Sequence, residues 1–247
     1  MKWTHGRDHR RERWIVLALV LLLSAACGHS NPLDRLAKEL DIFPAYSVVL
    51  HDMKEGGNIT DEYYHQYRVV WGEHQAGTDE LEFHDRIDDW VPVSRDHYNR
   101  YQDYLGMTVL AKDEDGVDRG QQPAGYRYVG NPRYGEWRTD SSGGSFWSFY
   151  GKYVFLSRMF DTYRRPIYRS DWDDYRSHRN RGQPYFGPSR QYGTRGTATQ
   201  TTHRSFFERQ QARQQTRNQR FSDKVQQRVK RSRMSGTRSR SSGRGGK

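Results

Sequence analysis

The sequence has little of what most globular domains and most enzymes rely on. The chain has 247 residues with one cysteine and an apolar fraction of 33%, whereas apolar residues, glycine included, usually make up about 45–50% of a globular domain. A lone cysteine cannot form an intramolecular disulfide. The low apolar share argues against a polytopic membrane protein and against a full-length α/β enzyme core. It fits one modest domain with substantial disordered flanks.

The sequence also lacks the short motifs of common catalytic sites. It contains no HExxH metal motif, no GxSxG nucleophile elbow and no glycine-rich phosphate loop. The run from Asp113 to Asp118 resembles a calcium loop, but its first and last ligand positions would be Ala111 and Gln122, which are not acidic. We therefore predict a hairpin turn at Asp115-Gly116, and a protein that is not an enzyme and holds no cofactor or metal.

The amino terminus has the three parts of a secretory signal peptide. Residues 1–13 are rich in basic side chains, Trp14 to Leu23 form an apolar run, and small residues follow up to Cys27. This apolar run is shorter than the ~20 residues that a membrane-spanning helix needs. We therefore predict a signal peptide over residues 1–26.

The run Leu23-Ser24-Ala25-Ala26-Cys27 resembles the lipobox of bacterial lipoprotein precursors. The resemblance implies cleavage before Cys27, attachment of lipid, palmitate included, to that cysteine, and a location in the cell envelope. Because Gly28 follows the cysteine instead of Asp, it favours an outer membrane facing the periplasm in a Gram-negative organism. The resemblance departs from the family pattern at Ser24, where an aliphatic residue is preferred, and an ordinary signal peptide or an uncleaved anchor is the alternative. Beyond residue 28 the chain is similar only to bacterial lipoproteins without a known role.

Charge is divided unevenly along the chain. Residues 27–100 hold seven basic and fifteen acidic side chains, net −8; residues 101–160 are neutral; residues 161–247 hold 22 basic and six acidic side chains, net +16. Such an asymmetry indicates an interaction tail. We expect the tail to bind an anionic surface or polymer, or the acidic portion of the same protein or of a neighbour. Its predicted contact residues are Arg209, Arg213, Arg217, Arg220, Lys224, Arg228, Lys230, Arg231, Arg233, Arg238, Arg240 and Arg244.

The expected fold class is α+β, with one small aromatic-rich domain and a disordered to partly helical Arg-rich tail. We predict a membrane-proximal helix in residues 27–44, capped by Asn31, an α+β body over 45–160, an irregular segment over 161–202, and a basic helix with a disordered end over 203–247. The predicted elements of the body and tail are strands at Tyr46–Leu50, Tyr64–Trp71, Trp90–Val93, Met107–Ala111 and Tyr126–Val129, and helices after Ser94, over Ser145–Phe160 and after Ser205.

Three functions remain open from the sequence. The first is a noncatalytic cell-envelope lipoprotein, anchored to the membrane through Cys27, whose tail contacts anionic lipid, lipopolysaccharide or an acidic envelope protein. The second is a cytoplasmic nucleic-acid-binding protein that uses the same Arg-rich tail. The third is a metal-dependent envelope enzyme, for which His74, Glu82 and His84 are the best candidate ligands.

Overall fold

The computed structural model describes residues 31–56, 62–160 and 165–238, with side chains throughout these ranges except at 159 and 233–238. The predicted signal peptide and Cys27 lie outside the described residues. Within them, helices and antiparallel sheets form one compact α+β body with aromatic clusters in its core, followed by a helical carboxyl-terminal region. This confirms the expected fold class.

The body is built on one antiparallel sheet. The strands of this sheet are β1 (Ala45–Gly56), β2 (Glu62–His74), β3 (Leu81–Ile87), β4 (Val91–Val93), β5 (Met107–Asp113), β6 (Gly116–Asp118) and β7 (Gln122–Pro123). The long central strand β1 pairs with β2 on one side and with β5 on the other. Strand β4, which contains Pro92, pairs with β2, as expected for an edge strand whose proline cannot donate to a ladder.

Two short helices cover one face of the sheet. Helix α1 (Pro32–Glu39) begins where the Asn31 side chain accepts a hydrogen bond from the Leu33 amide at 3.1 Å, which confirms the predicted cap. Helix α2 (Arg95–Tyr101) begins in the same way at Ser94, also as predicted. Leucines of α1 and tyrosines of α2 pack on β1 and β2, so this face is closed by large apolar side chains.

The other face carries an aromatic layer from the second half of the chain. It contains a two-stranded hairpin and three helices as well as irregular backbone. These elements are β8 (Gly135–Thr139), β9 (Ser145–Phe149), α3 (Val154–Met159), α4 (Arg169–Asn180) and α5 (Thr197–Thr202). Single 3-10 turns lie at Leu40–Ile42, Tyr126–Tyr128, Gly151–Tyr153 and Pro188–Arg190. The last helix, α6 (Arg204–Arg238), has 35 residues.

The predicted strand at Tyr126–Val129 is wrong. This segment is a 3-10 turn, and it follows Gly125, whose φ of +89° favours glycine. The turn buries Tyr126 and Tyr128 in two different clusters, which an extended strand on one sheet would not do. The strand that pairs beyond the Asp115-Gly116 turn is β6 instead, and the turn itself is confirmed.

The predicted helix over Ser145–Phe160 is wrong in its first part. Residues Ser145–Phe149 form β9, which pairs with β8 so that Trp137 lies opposite Trp147. The Asp140 side chain closes the connecting turn by accepting hydrogen bonds from the amides of Ser142 and Gly144. The spacing of the aromatic rings fits one face of a helix, and the prediction rested on it. Aromatic residues, however, suit strands at least as well as helices. Only Val154–Met159 is α-helical.

The expectation of irregular structure over 161–202 is also wrong where α4 and α5 form. Ile167, Tyr175 and Tyr185 are buried together, and the Trp172 indole donates to the Val129 carbonyl at 2.9 Å. Composition suggested disorder because aliphatic residues are few here. Buried rings supply the missing apolar area, since each aromatic side chain buries about 150–250 Å².

Candidate functional site: the carboxyl-terminal basic helix

Helix α6, called the basic helix below, begins on the body of the protein. Its first turn places Phe206, which is 2% exposed, in the same buried cluster as Leu33 and Leu36 of α1. Phe207 packs against that cluster as well. The helix begins at Arg204, so Ser205, after which the sequence predicted its start, lies inside it. The two phenylalanines therefore fix the base of the helix to the helical face of the sheet.

Ion pairs extend this attachment along the next turns. One nitrogen of Arg209 lies 2.6 Å from both carboxylate oxygens of Asp52 on β1, whose side chain is only 12% exposed. Arg213 and Arg217 both reach Glu55 on the same strand, at 3.4 and 3.2 Å. The first three predicted contact residues of the tail are thus engaged by the protein's own acidic portion. The sequence indicated this attraction through charge alone and singled out neither Asp52 nor Glu55.

Removal of the Arg209 side chain is expected to destabilise the protein measurably. An Arg209→Ala variant leaves the mostly buried Asp52 carboxylate without its cationic partner, which costs about 2 kcal/mol for a hydrogen bond to a charged group. Urea unfolding measures this as a lower free energy of unfolding. The matched control is Arg217→Ala, because that side chain is 68% exposed and exposed ion pairs contribute only about 0–1 kcal/mol. Equal losses in the two variants would contradict the assignment.

Beyond these pairs the basic helix is exposed to solvent as far as its side chains are described. All residues from 218 to 232 are exposed. Of the predicted contact residues, Arg220, Lys224, Arg228, Lys230 and Arg231 lie in this stretch. Arg233 and Arg238 belong to the helix, but their side chains are outside the described set, and Arg240 and Arg244 lie outside the described residues altogether. The structure therefore divides the tail into a docked base, up to Arg217, and an exposed distal part over residues 218–232.

An apolar row accompanies the cations on the distal part. Phe221, Val225 and Val229 are 70%, 43% and 45% exposed. Because residues four apart on an α-helix share a face, these three side chains form one stripe. Lys224, Arg228 and Arg231 follow one another at spacings of four and three, so they form a second row beside it. The exposed distal part thus combines an apolar stripe with a basic row, the composition of a helix that lies at a membrane interface.

The candidate metal ligands do not come together in a metal site. In the part of the chain that the structure describes, no group of three or more His, Cys, Asp or Glu side chains is placed to hold a metal ion. Acidic side chains close in sequence to His84 pair with arginines: Asp85 with Arg68, and Asp88 with Arg86. These carboxylates therefore serve as ion-pair partners on the surface of the sheet.

Among the described residues, no helix is both long enough and apolar enough to cross a membrane. Comparisons with protein-family models, with curated proteins and with solved structures found no match to this chain.

Proposed function

We propose that this protein is a noncatalytic cell-envelope lipoprotein, anchored through Cys27, whose basic helix contacts an anionic component of the envelope. The observation that carries the proposal is the exposed distal part of the basic helix. Its basic row supplies attraction to anionic head groups, and its apolar stripe supplies surface that gains free energy on leaving water.

The position of the basic helix is consistent with attachment to the same membrane as the anchor. Only residues 28–31 separate Cys27 from the start of α1 at Pro32. Leu33 and Leu36 of α1 share one buried cluster with Phe206 at the base of the basic helix. A lipid on Cys27 therefore holds the helical face of the sheet near the bilayer, and the basic helix starts on that face.

Among anionic partners, the apolar stripe favours a lipid surface. An acyl-chain boundary accepts Phe221, Val225 and Val229 without a matching groove, whereas an acidic protein or a nucleic-acid backbone gives them little apolar contact. Pairing of two basic helices along the stripe is disfavoured, since the adjacent rows of Lys and Arg repel each other. The lipopolysaccharide phosphates and an acidic envelope protein remain secondary partners within the same proposal, and nucleic-acid binding is the alternative function.

Metabolic palmitate labelling with membrane fractionation tests the anchor. We expect a Cys27→Ala variant to lose the label completely, and its remaining membrane association to be removed by a high-salt wash, because the basic helix alone then holds the protein. The matched control is Ser24→Leu, which moves the sequence closer to the lipobox pattern and should keep both label and salt-resistant association. Unchanged labelling and salt-resistant association of Cys27→Ala would overturn the lipoprotein assignment.

A further inference from the structure

A cavity of about 220 Å³ lies on the aromatic face of the sheet, away from the basic helix's distal part. We call it the histidine pocket. Its floor is formed by the paired residues Val49 and Arg68 of β1 and β2, and its apolar walls include Ala124 and Phe160. Its polar lining includes His51, Arg68, Arg165, Tyr192, Thr199, Thr202 and His203. Side chains that are far apart in the sequence therefore meet in it.

A local distortion of β1 directs His51 into this pocket. The register of β1 and β2 passes from Leu50↔Tyr67 to Asp52↔Gln66, so His51 is the extra, unpaired residue of a β-bulge. Bulges re-aim a side chain that regular pairing would place elsewhere, and they are frequent beside functional sites. In this protein the residue that the bulge leaves unpaired, His51, lines the cavity.

The second histidine is held by a close approach of the backbone. His203 follows α5, and its ring centroid is 5.8 Å from that of His51. Gly106 has a φ of +74°, and a Cβ there would lie 2.9 Å from Nε2 of His203. Only glycine satisfies both conditions without strain. Burial is the main cause that lowers the pKa of both histidines. It therefore favours their neutral forms, in which each ring carries one N–H donor and one acceptor.

The described lining of the histidine pocket carries positive charge. Among the residues that the structure describes, this lining includes two arginines and no carboxylate. Arg68 already pairs with Asp85 at 2.7 Å. Arg165 donates to the neutral side-chain oxygen of Gln191 at 3.3 Å, so the charge of this guanidinium is not balanced by its hydrogen-bond partner. A partly enclosed cationic site with hydroxyl and imidazole groups is suited to an anion.

We infer that the histidine pocket binds a small organic anion with a carboxylate or phosphate head group. Arg165 provides the charge-assisted hydrogen bonds, and His51, His203 and Thr199 provide further polar contacts to the head group. Val49, Ala124 and Phe160 surround the apolar part. The volume is below the ~300–1,000 Å³ typical of pockets for drug-sized ligands, so the ligand is a small molecule of metabolite size. This inference is independent of the proposed role of the basic helix.

Titration of the purified full chain with phenyl phosphate and with benzoate tests the inference, because the two probes share a ring and differ in head group. We expect at least one of them to bind. In NMR spectra, binding should shift the imidazole nitrogen resonances of His51 and His203 and leave those of the exposed His74 unchanged. Benzyl alcohol is the neutral counterpart and should bind at least tenfold more weakly. Binding of only one anion supports the inference and identifies the head group. Absence of binding by both anions, or equal binding of benzyl alcohol, would overturn it.

Variants of Arg165 separate recognition from folding. Arg165→Gln should weaken anion binding by about tenfold or more, since a hydrogen bond to a charged group contributes about 1.5–3 kcal/mol and 1.4 kcal/mol corresponds to tenfold. Arg165→Lys should retain part of the affinity, and its thermal unfolding reports on the fold. The matched control is Arg190→Gln, which removes a cation that lies over Phe186 and not in the histidine pocket. Equal affinity of Arg165→Gln and wild type would exclude the site.

Discussion

Acidification from pH 7 to 4.5 is expected to destabilise this protein steeply, by several kcal/mol, because two buried histidines of the main sheet and α2 must take up protons. His65 is fully buried on β2, and His97 on α2 is 8% exposed. Natural domains have only about 5–15 kcal/mol of stability in total. Protonation of these two residues therefore removes a large share of the stability.

The geometry explains why protonation is unfavourable. The Tyr67 hydroxyl lies 3.0 Å from Nδ1 of His65 and 3.2 Å from Nε2 of His97, so one phenol connects the two rings. Nε2 of His65 has no hydrogen-bond partner among the described residues. A protonated ring needs acceptors at both nitrogens. A charge on His65 would therefore be buried with one N–H unsatisfied and with a second imidazole 5.2 Å away.

The direction of the pH effect follows from these environments. Burial, and then the neighbouring His97, lowers the pKa of His65 to about 3. Burial, and then Arg100, lowers the pKa of His97 to about 4. An unfolded histidine has a pKa of about 6.5, so below that pH the unfolded chain binds more protons. The stability due to these residues is complete well above pH 6.5 and is lost as the pH falls towards 4 and 3, at up to about 1.4 kcal/mol per pH unit for each histidine.

Urea unfolding between pH 7.5 and 4.5 measures this dependence. We expect His97→Gln, which keeps a hydrogen-bonding group near Tyr67, to reduce the slope of unfolding free energy against pH by about 1.4 kcal/mol per unit. The matched control is His74→Gln, which removes an imidazole from the exposed end of β2. His51 and His203 contribute in the same direction, since their pKa values are also lowered. A wild-type slope in the His97 variant would show that folding does not change proton binding by His97, and would contradict the prediction.

The sequence predicted best where local chemistry decides the structure. Asn31 and Ser94 cap helices because their side chains reach the next amides, whatever the rest of the chain does. Pro92 marks an edge strand for an equally local reason, the absence of an N–H. By contrast, Ser145–Phe149 has aromatic spacing that fits a helix as well as a strand, and its pairing with β8 decided the outcome. Propensity is overridden by tertiary contacts of this kind.

The sites were less predictable than the elements. Arg209 was a predicted contact residue of the tail, but its partner Asp52 is 157 positions away and is one of many acidic residues. The histidine pocket was not predicted, since His51 and His203 are 152 positions apart in the sequence and belong to no motif. The only local signal was Gly106, and a single glycine does not indicate which side chain will approach it.

The second large effect concerns binding of the distal part of the basic helix to anionic vesicles. Replacement of Lys224, Arg228 and Arg231 by Gln is expected to lower the affinity for phosphatidylglycerol vesicles about 100-fold. Each Lys or Arg near an anionic surface contributes about 1 kcal/mol, and 1.4 kcal/mol corresponds to tenfold. The comparison uses a Cys27→Ala background, so that no acyl chain contributes to binding. Cosedimentation across a range of salt concentrations measures both the affinity and its salt dependence.

Two further variants identify which part of the surface acts. Replacement of Arg100, Arg138 and Arg181, which are exposed on the body, by Gln removes the same charge and should leave the affinity nearly unchanged. Replacement of Phe221, Val225 and Val229 by Ser should weaken binding but leave its salt dependence intact, because the apolar stripe acts through burial and the basic row through screened charge. If the stripe variant binds as wild type while the basic-row variant does not, the partner is an anionic polymer that offers no apolar boundary. If both variants bind as wild type, the distal part of the basic helix is not the contact surface, and only the ion pairs of Arg209, Arg213 and Arg217 with Asp52 and Glu55 have a role.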